Sequence, residues 1–162
     1  MDQVQQILAQ LEFCRNRTLG LLKIVEALPD PVAALGWRPG PGRAHAGWQL
    51  MHIAATDDGY LHKRILNAPP ADPGLVEKFG GGSTPADVPP TAAEIGRTLT
   101  DNRAKLIAFI QGYDAGKLDA KPFADSPRTV RESLMLLAWH EAHHQGQAHI
   151  TLNLFKAAHG IN

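Results

Sequence analysis

The sequence predicts an all-α protein, a four-helix bundle with one long connection between its second and third helices. Three observations carry this reading. Apolar residues recur at helical spacing in four segments, Pro- and Gly-rich stretches separate those segments, and no segment alternates as a half-buried strand would. The chain of 162 residues is long enough to bury one core, and 1–162 reads as a single domain.

The first helix is expected from Asp2 to Leu28, where Val4, Ile7, Leu8, Leu11, Cys14, Thr18, Leu21, Leu22 and Val25 keep helical spacing. Pro29-Asp30-Pro31 stops it, and Leu35 to Gly42 is too rich in Gly and Pro for regular structure. The second helix begins near Ala46-Gly47 and runs to about Leu66, with Trp48, Met51, His52, Ala55, Gly59 and Leu66 along one side. Asn67 to Pro90 carries many prolines and Gly80-Gly81-Gly82. A loop of that length is uncommon in a compact domain, so it reads as a crossover with a short helical turn around Leu75–Lys78. Thr91-Ala92-Ala93-Glu94 is a capping box that opens the third helix, whose stripe Ile95, Leu99, Leu106 and Ile110 ends near Gly112. Pro122 to Ser126 is a loop, and the box Thr129-Val130-Arg131-Glu132 opens a fourth helix that runs to Ala157.

Lys plus Arg and Asp plus Glu both number 16, so the net charge is zero. No basic stripe suggests nucleic acid and no acidic tail a basic partner. Nothing approaches the length of a membrane span, and the N-terminus lacks the basic and apolar regions of a signal peptide. The single cysteine, Cys14, excludes an internal disulfide and reads as a packing residue. The expectation is a cytoplasmic protein with a small-molecule substrate.

The chemistry concentrates in Trp139-His140-Glu141-Ala142-His143-His144-Gln145-Gly146-Gln147. Residues four apart on a helix are neighbours, with Cβ atoms roughly 5–6 Å apart. His140 and His144 thus share a direction, and Leu136, Leu137, Gln147, Thr151, Leu154 and Phe155 share it with them. Two imidazoles on an inward face are costly unless their lone pairs are used, and a divalent transition metal is their commonest user. His140-Glu141-Ala142-His143-His144 also matches H-E-x-x-H literally. A zincin reading fails at the third ligand, because Ile150 stands where the metzincin continuation needs His. A di-iron reading fails because Glu141-x-x-His144 has no second Glu-x-x-His. His52, among small and apolar residues of the second helix, completes a three-nitrogen set drawn from facing helices.

Gly47-Trp48-Gln49-Leu50-Met51-His52-Ile53-Ala54, taken with Trp139 to Gln147, resembles the DinB-like superfamily of metal-binding four-helix bundles. Trp37-Arg38-Pro39 and the Thr129–Glu132 lead-in match it too, so the resemblance covers nearly the whole chain. It implies an up-down-down-up bundle, a homodimer, and a divalent metal held by His52, His140 and His144. It also implies a range of reactions, among them thiol-dependent transferases that act with bacillithiol, mycothiol or glutathione, and a maleylpyruvate isomerase.

Three neutral imidazoles leave the metal's full charge on the site and a position open. Zinc and nickel head the expected metals, with iron, manganese and copper as further options. A thiolate in the open position gives a transferase, the reading that the resemblance favours. Water activated there gives a hydrolase, and a site without turnover gives a metal-binding stress-response module. Glu141 reads either as a general base beside the metal or as a solvated carboxylate. His143 reads as pocket wall, and Gln147 as a partner of a ligand or a packing contact. Asp57 and Asp58 read as orienters of ligating imidazoles or as exposed charges. Tyr60, His62 and His45 are candidates for the pocket mouth.

Overall fold

The computed structural model describes residues 2–161, and every regular element among them is helical. Helix α1 spans Gln3–Glu26, with Asp2 accepting the Gln5 amide as its N-cap. Helix α3 spans Ala46–Gly59 and continues into a π-helical turn, Tyr60–Ile65. Helix α5 spans Ala92–Gln111 and α6 spans Val130–Ala158. Both capping boxes read from the sequence are formed. Thr91 and Glu94 satisfy each other's amides at the start of α5, and Thr129 and Glu132 do so at α6.

Two short α-helices add to the four expected. Helix α2, Pro31–Gly36, was hidden because Pro31 reads as a stop; it serves instead as the first helical residue behind the Asp30 cap. Helix α4, Pro73–Phe79, repeats that arrangement behind Asp72 and is longer than the turn expected around Leu75–Lys78. A 3-10 turn, Ala115–Lys117, also lies outside the expected elements.

Helix α3 packs against α5, α6, α4 and α2, and α1 packs against α5 and α6. Contacts on so many sides leave twelve of the fourteen α3 residues buried. That requires a small residue at Gly47, where a Cβ would lie 3.3 Å from the Leu35 carbonyl oxygen, Pro89 and His45. Leu66 and Leu154, expected on inward faces, are about half exposed at 47% each. Leu66 falls just beyond the π turn, whose wider winding breaks the 3.6-residue register.

The core divides into two apolar clusters, and each long helix contributes to both. Leu11 of α1, Leu61 beyond α3, Leu106 of α5 and Leu134 of α6 belong to one. Leu22, Leu50, Leu99 and Leu152 of the same helices belong to the other. Between the clusters the helices bring together four buried charged residues: Arg15, Asp57, Arg103 and Glu141. Arg15 bonds Glu141 at 2.8 Å and Asp57 at 2.9 Å; Arg103 bonds Asp57 at 3.0 Å and Glu141 at 2.5 Å. Spare guanidinium hydrogens go to the carbonyls of Leu99 and Leu11. Burial pulls the Arg103 pKa down, but Asp57 and Glu141 outweigh it and hold the group above its ordinary value. The four charges cancel, and no buried side-chain nitrogen or oxygen among the described residues lacks a partner.

Candidate metal centre

His52 on α3 and His140 and His144 on α6 converge, offering three nitrogens that all lie within 4.8 Å of one another. The i, i+4 spacing brings the α6 rings to 4.4 Å between centroids, and close α3–α6 packing sets His52 4.8 Å from His140 and 4.4 Å from His144. The Trp48 indole stacks on the other side of His52, with centroids 4.7 Å apart and planes 10° from parallel.

Hydrogen bonds fix two of the tautomers. His52 donates Nδ1–H to the Phe79 carbonyl at 2.6 Å, and His144 donates Nδ1–H to Gln49 Oε1 at 2.5 Å. Each leaves an Nε2 lone pair free, as ligating imidazoles do. Nε2 of His140 faces Nε2 of His52 across 3.1 Å, with the Thr56 hydroxyl 3.5 Å from His140.

All three imidazoles are held neutral. Burial lowers the His52 pKa against the opposing pull of the Phe79 carbonyl. Burial, then the neighbouring His52 and His143 rings, lowers His140 to about 4. Burial, then His140, His52 and His143, lowers His144 to about 3. A neutral imidazole keeps a lone pair for a metal, and Nε2 of His52 and of His144 are both free to offer one. A zinc ion at ~2.0–2.1 Å from each nitrogen would space a tetrahedral pair by ~3.4 Å, close to the His52–His140 separation. The donor set therefore fits a divalent transition metal.

The remaining residues singled out in the sequence lie elsewhere. Glu141 is neither beside the imidazoles nor solvated: it is fully buried, with its oxygens taken by Arg15 and Arg103. The reading of Glu141 as a general base is corrected on that ground, because the guanidiniums occupy the lone pairs that a proton would need. Asp57 shares the same network, and Asp58 accepts the amides of Ala71 and Asp72 and pairs with His62 at 2.8 Å. Both aspartates are buried, and neither bonds a clustered imidazole. His143 is exposed, stacked on Trp139, and bonded to Gln147 at 2.9 Å. His45 caps α3, accepting the Trp48 amide through Nδ1 and donating Nε2–H to Ala86.

A cavity of ≈ 810 Å³ opens from His52 and His140, walled by Thr56, Tyr60, Val76 and Gly81 among others. Its size suits a small organic molecule. Gln49 and Phe79, the partners that fix the imidazoles, had not been singled out in the sequence. Gln49 was legible in principle, lying one turn before His52 and facing the same neighbour helix; a backbone carbonyl leaves no sequence signal.

Comparison with known proteins gives a family match and a structural one. Residues 10–148 match the DinB superfamily. A crystal structure of a conserved protein from Enterococcus faecalis shares the fold with TM-score 0.62 and 19% identity, covering 95% of this chain and 97% of that one. No curated protein sequence matches.

Proposed function

The chain belongs to the DinB superfamily, and on that premise we propose that it is a metal-dependent transferase acting with a low-molecular-weight thiol. Its ligands are His52, His140 and His144. The observation that carries the reading is the convergence of three neutral imidazoles, two with fixed tautomers, beside a cavity that His52 and His140 line. When bound, the metal would supply Lewis acidity that favours the thiolate over the thiol at its open position.

The chain's own residues do the rest. Phe79 and Gln49 aim two rings, Trp48 holds His52 in plane, and the cavity walls orient the acceptor. With Glu141 locked in its ion pairs, the carboxylate that shares the cavity with His52 and His140 is that of Glu77. Hydrolysis by activated water is the second reading, supported by the same open position, and a site without turnover is the third.

The topology proposed with this function is a single-domain, up-down-down-up bundle. Its support is the order in which the helices meet the two apolar clusters: α1 and α6 run one way between them, and α3 and α5 the other. A homodimer is proposed through α6. Between Glu132 and Lys156 its only Asp, Glu, Lys or Arg is the buried Glu141, while Met135, Trp139 and Ile150 are more than half exposed. A reducing, cytoplasmic setting is proposed from the unpaired Cys14.

The test is elemental analysis of untagged protein, followed by a screen of electrophiles with and without bacillithiol, mycothiol or glutathione. About one transition-metal ion per chain is expected, lost in His52→Ala, His140→Ala and His144→Ala and kept in His143→Ala. Turnover without any thiol would replace transfer with hydrolysis, and no metal after reconstitution would overturn the site.

A further inference from the structure

We propose that the cavity beside the three imidazoles takes an extended organic anion, whose carboxylate or phosphate is held by Lys63 and Arg64. The inference deepens the metal-centre reading and rests on it for the reacting end of the ligand. The anion-binding end is independent of it.

Both cations line the cavity that starts at His52 and His140. An unbroken α-helix would already bring Lys63 to that side, but the placement of Arg64 depends on the π-helical turn. In an unbroken α-helix Arg64, twelve residues after His52, would point ~120° away from it at 3.6 residues per turn. The i→i+5 turn, closed by the Leu66 amide on the Leu61 carbonyl at 2.9 Å, advances less per residue and brings Arg64 onto the cavity side beside Lys63.

That turn is anchored from both sides. Asp58 takes the Ala71 and Asp72 amides on its two carboxylate oxygens and pairs with His62, and the Ala68 amide bonds the His62 carbonyl at 2.9 Å. π-helical turns tend to occur at functional sites, and this one leaves two adjacent cations side by side.

Neither Lys63 nor Arg64 forms an ion pair among the described residues. The acidic residue that shares the cavity wall, Glu77 of α4, is exposed and offsets one of the two charges. The wall therefore keeps a net positive charge at the end away from the imidazoles. Eleven residues separate His52 from Lys63, ~16 Å along an axis rising 1.5 Å per residue. Long side chains lean back toward the N-terminus, which shortens the gap that the ligand must span. Tyr60 is also on the cavity wall.

The experiment is calorimetric titration of the full chain, zinc-loaded and metal-free, as wild type and as Lys63→Met/Arg64→Met. The probes are glutarate and glycerol 3-phosphate, with glutaramide and glycerol as their uncharged counterparts. The wild type is expected to take an anion at least tenfold more tightly than its neutral counterpart. The double variant should lose that preference while keeping zinc content and thermal midpoint. Equal affinity in wild type and variant, or no preference in the wild type, overturns the proposal. Loss of the preference in the metal-free variant supports it even where zinc fails to bind, so a failed metal centre is told apart from a failed anion site. The stronger of the two anions identifies the head group.

Discussion

His144 donates its Nδ1 proton to the Gln49 side-chain oxygen across 2.5 Å, so a residue of α3 decides which nitrogen α6 presents to the cluster. Outer partners of this kind raise ligand basicity and lock ring orientation. Gln49→Leu keeps the volume and removes the acceptor. The expected result is a metal affinity lower by ~10–100-fold with metal stoichiometry unchanged, measured by competition with a chromophoric chelator.

Acid should destabilise the metal-free protein through the same rings. In the unfolded chain a histidine titrates near ~6.5, whereas folded His140 and His144 titrate at about 4 and about 3. Between those values the unfolded state binds more protons, so stability is full above ~6.5 and is lost as pH falls toward the folded values. Thermal midpoints recorded from neutral pH downward should drop more steeply for wild type than for His140→Leu/His144→Leu. The comparison is cleanest above the range where carboxylates begin to titrate.

Glu141→Gln leaves two buried guanidiniums facing one neutral amide. Breaking a buried pair by removing one partner costs ~3–5 kcal/mol, and urea unfolding should show a loss of that size. Metal stoichiometry should persist, which separates a residue that ties the helices together from one that serves the cluster. Arg103→Met should behave alike, and the double variant should lose less than the sum because each change relieves the other.

Gly80→Ala should weaken the metal centre from outside it. A Cβ there would stand 2.3 Å from the Val76 carbonyl oxygen, so the end of α4 must shift. The Phe79 carbonyl, part of the peptide unit entering Gly80, would shift with it and loosen its bond to His52. Metal affinity is expected to fall, whereas Gly81→Ala, whose Cβ meets nothing within 4 Å, should leave it near wild type.

The four long helices and the three imidazoles were legible because periodicity and i, i+4 spacing are local and the capping boxes mark starts. The buried charges were legible only in part. Arg15 continues the Leu11–Thr18–Leu22 stripe and Arg103 the Leu99–Leu106–Ile110 stripe, so each stands on an inward face. Their meaning required four helices at once, because no single stripe shows that Asp57 and Glu141 wait opposite. The π turn was hidden for another reason: it is fixed by Asp58 reaching amides thirteen and fourteen residues away. Helices α2 and α4 were hidden because proline punctuates and initiates with the same symbol.

The stretch joining α3 to α5 is fastened to the α2–α3 end of the fold by a few links. His52 holds Phe79, Trp48 holds Ser83, His45 holds Ala86, and Arg38 holds Pro85 and Ala86. Its cavity-facing residues, Pro70, Pro73, Val76 and Gly81, lie outside both apolar clusters. Evolution can therefore rewrite this faceplate and keep the scaffold behind it, so that descendants with the same imidazoles come to accept differently shaped molecules.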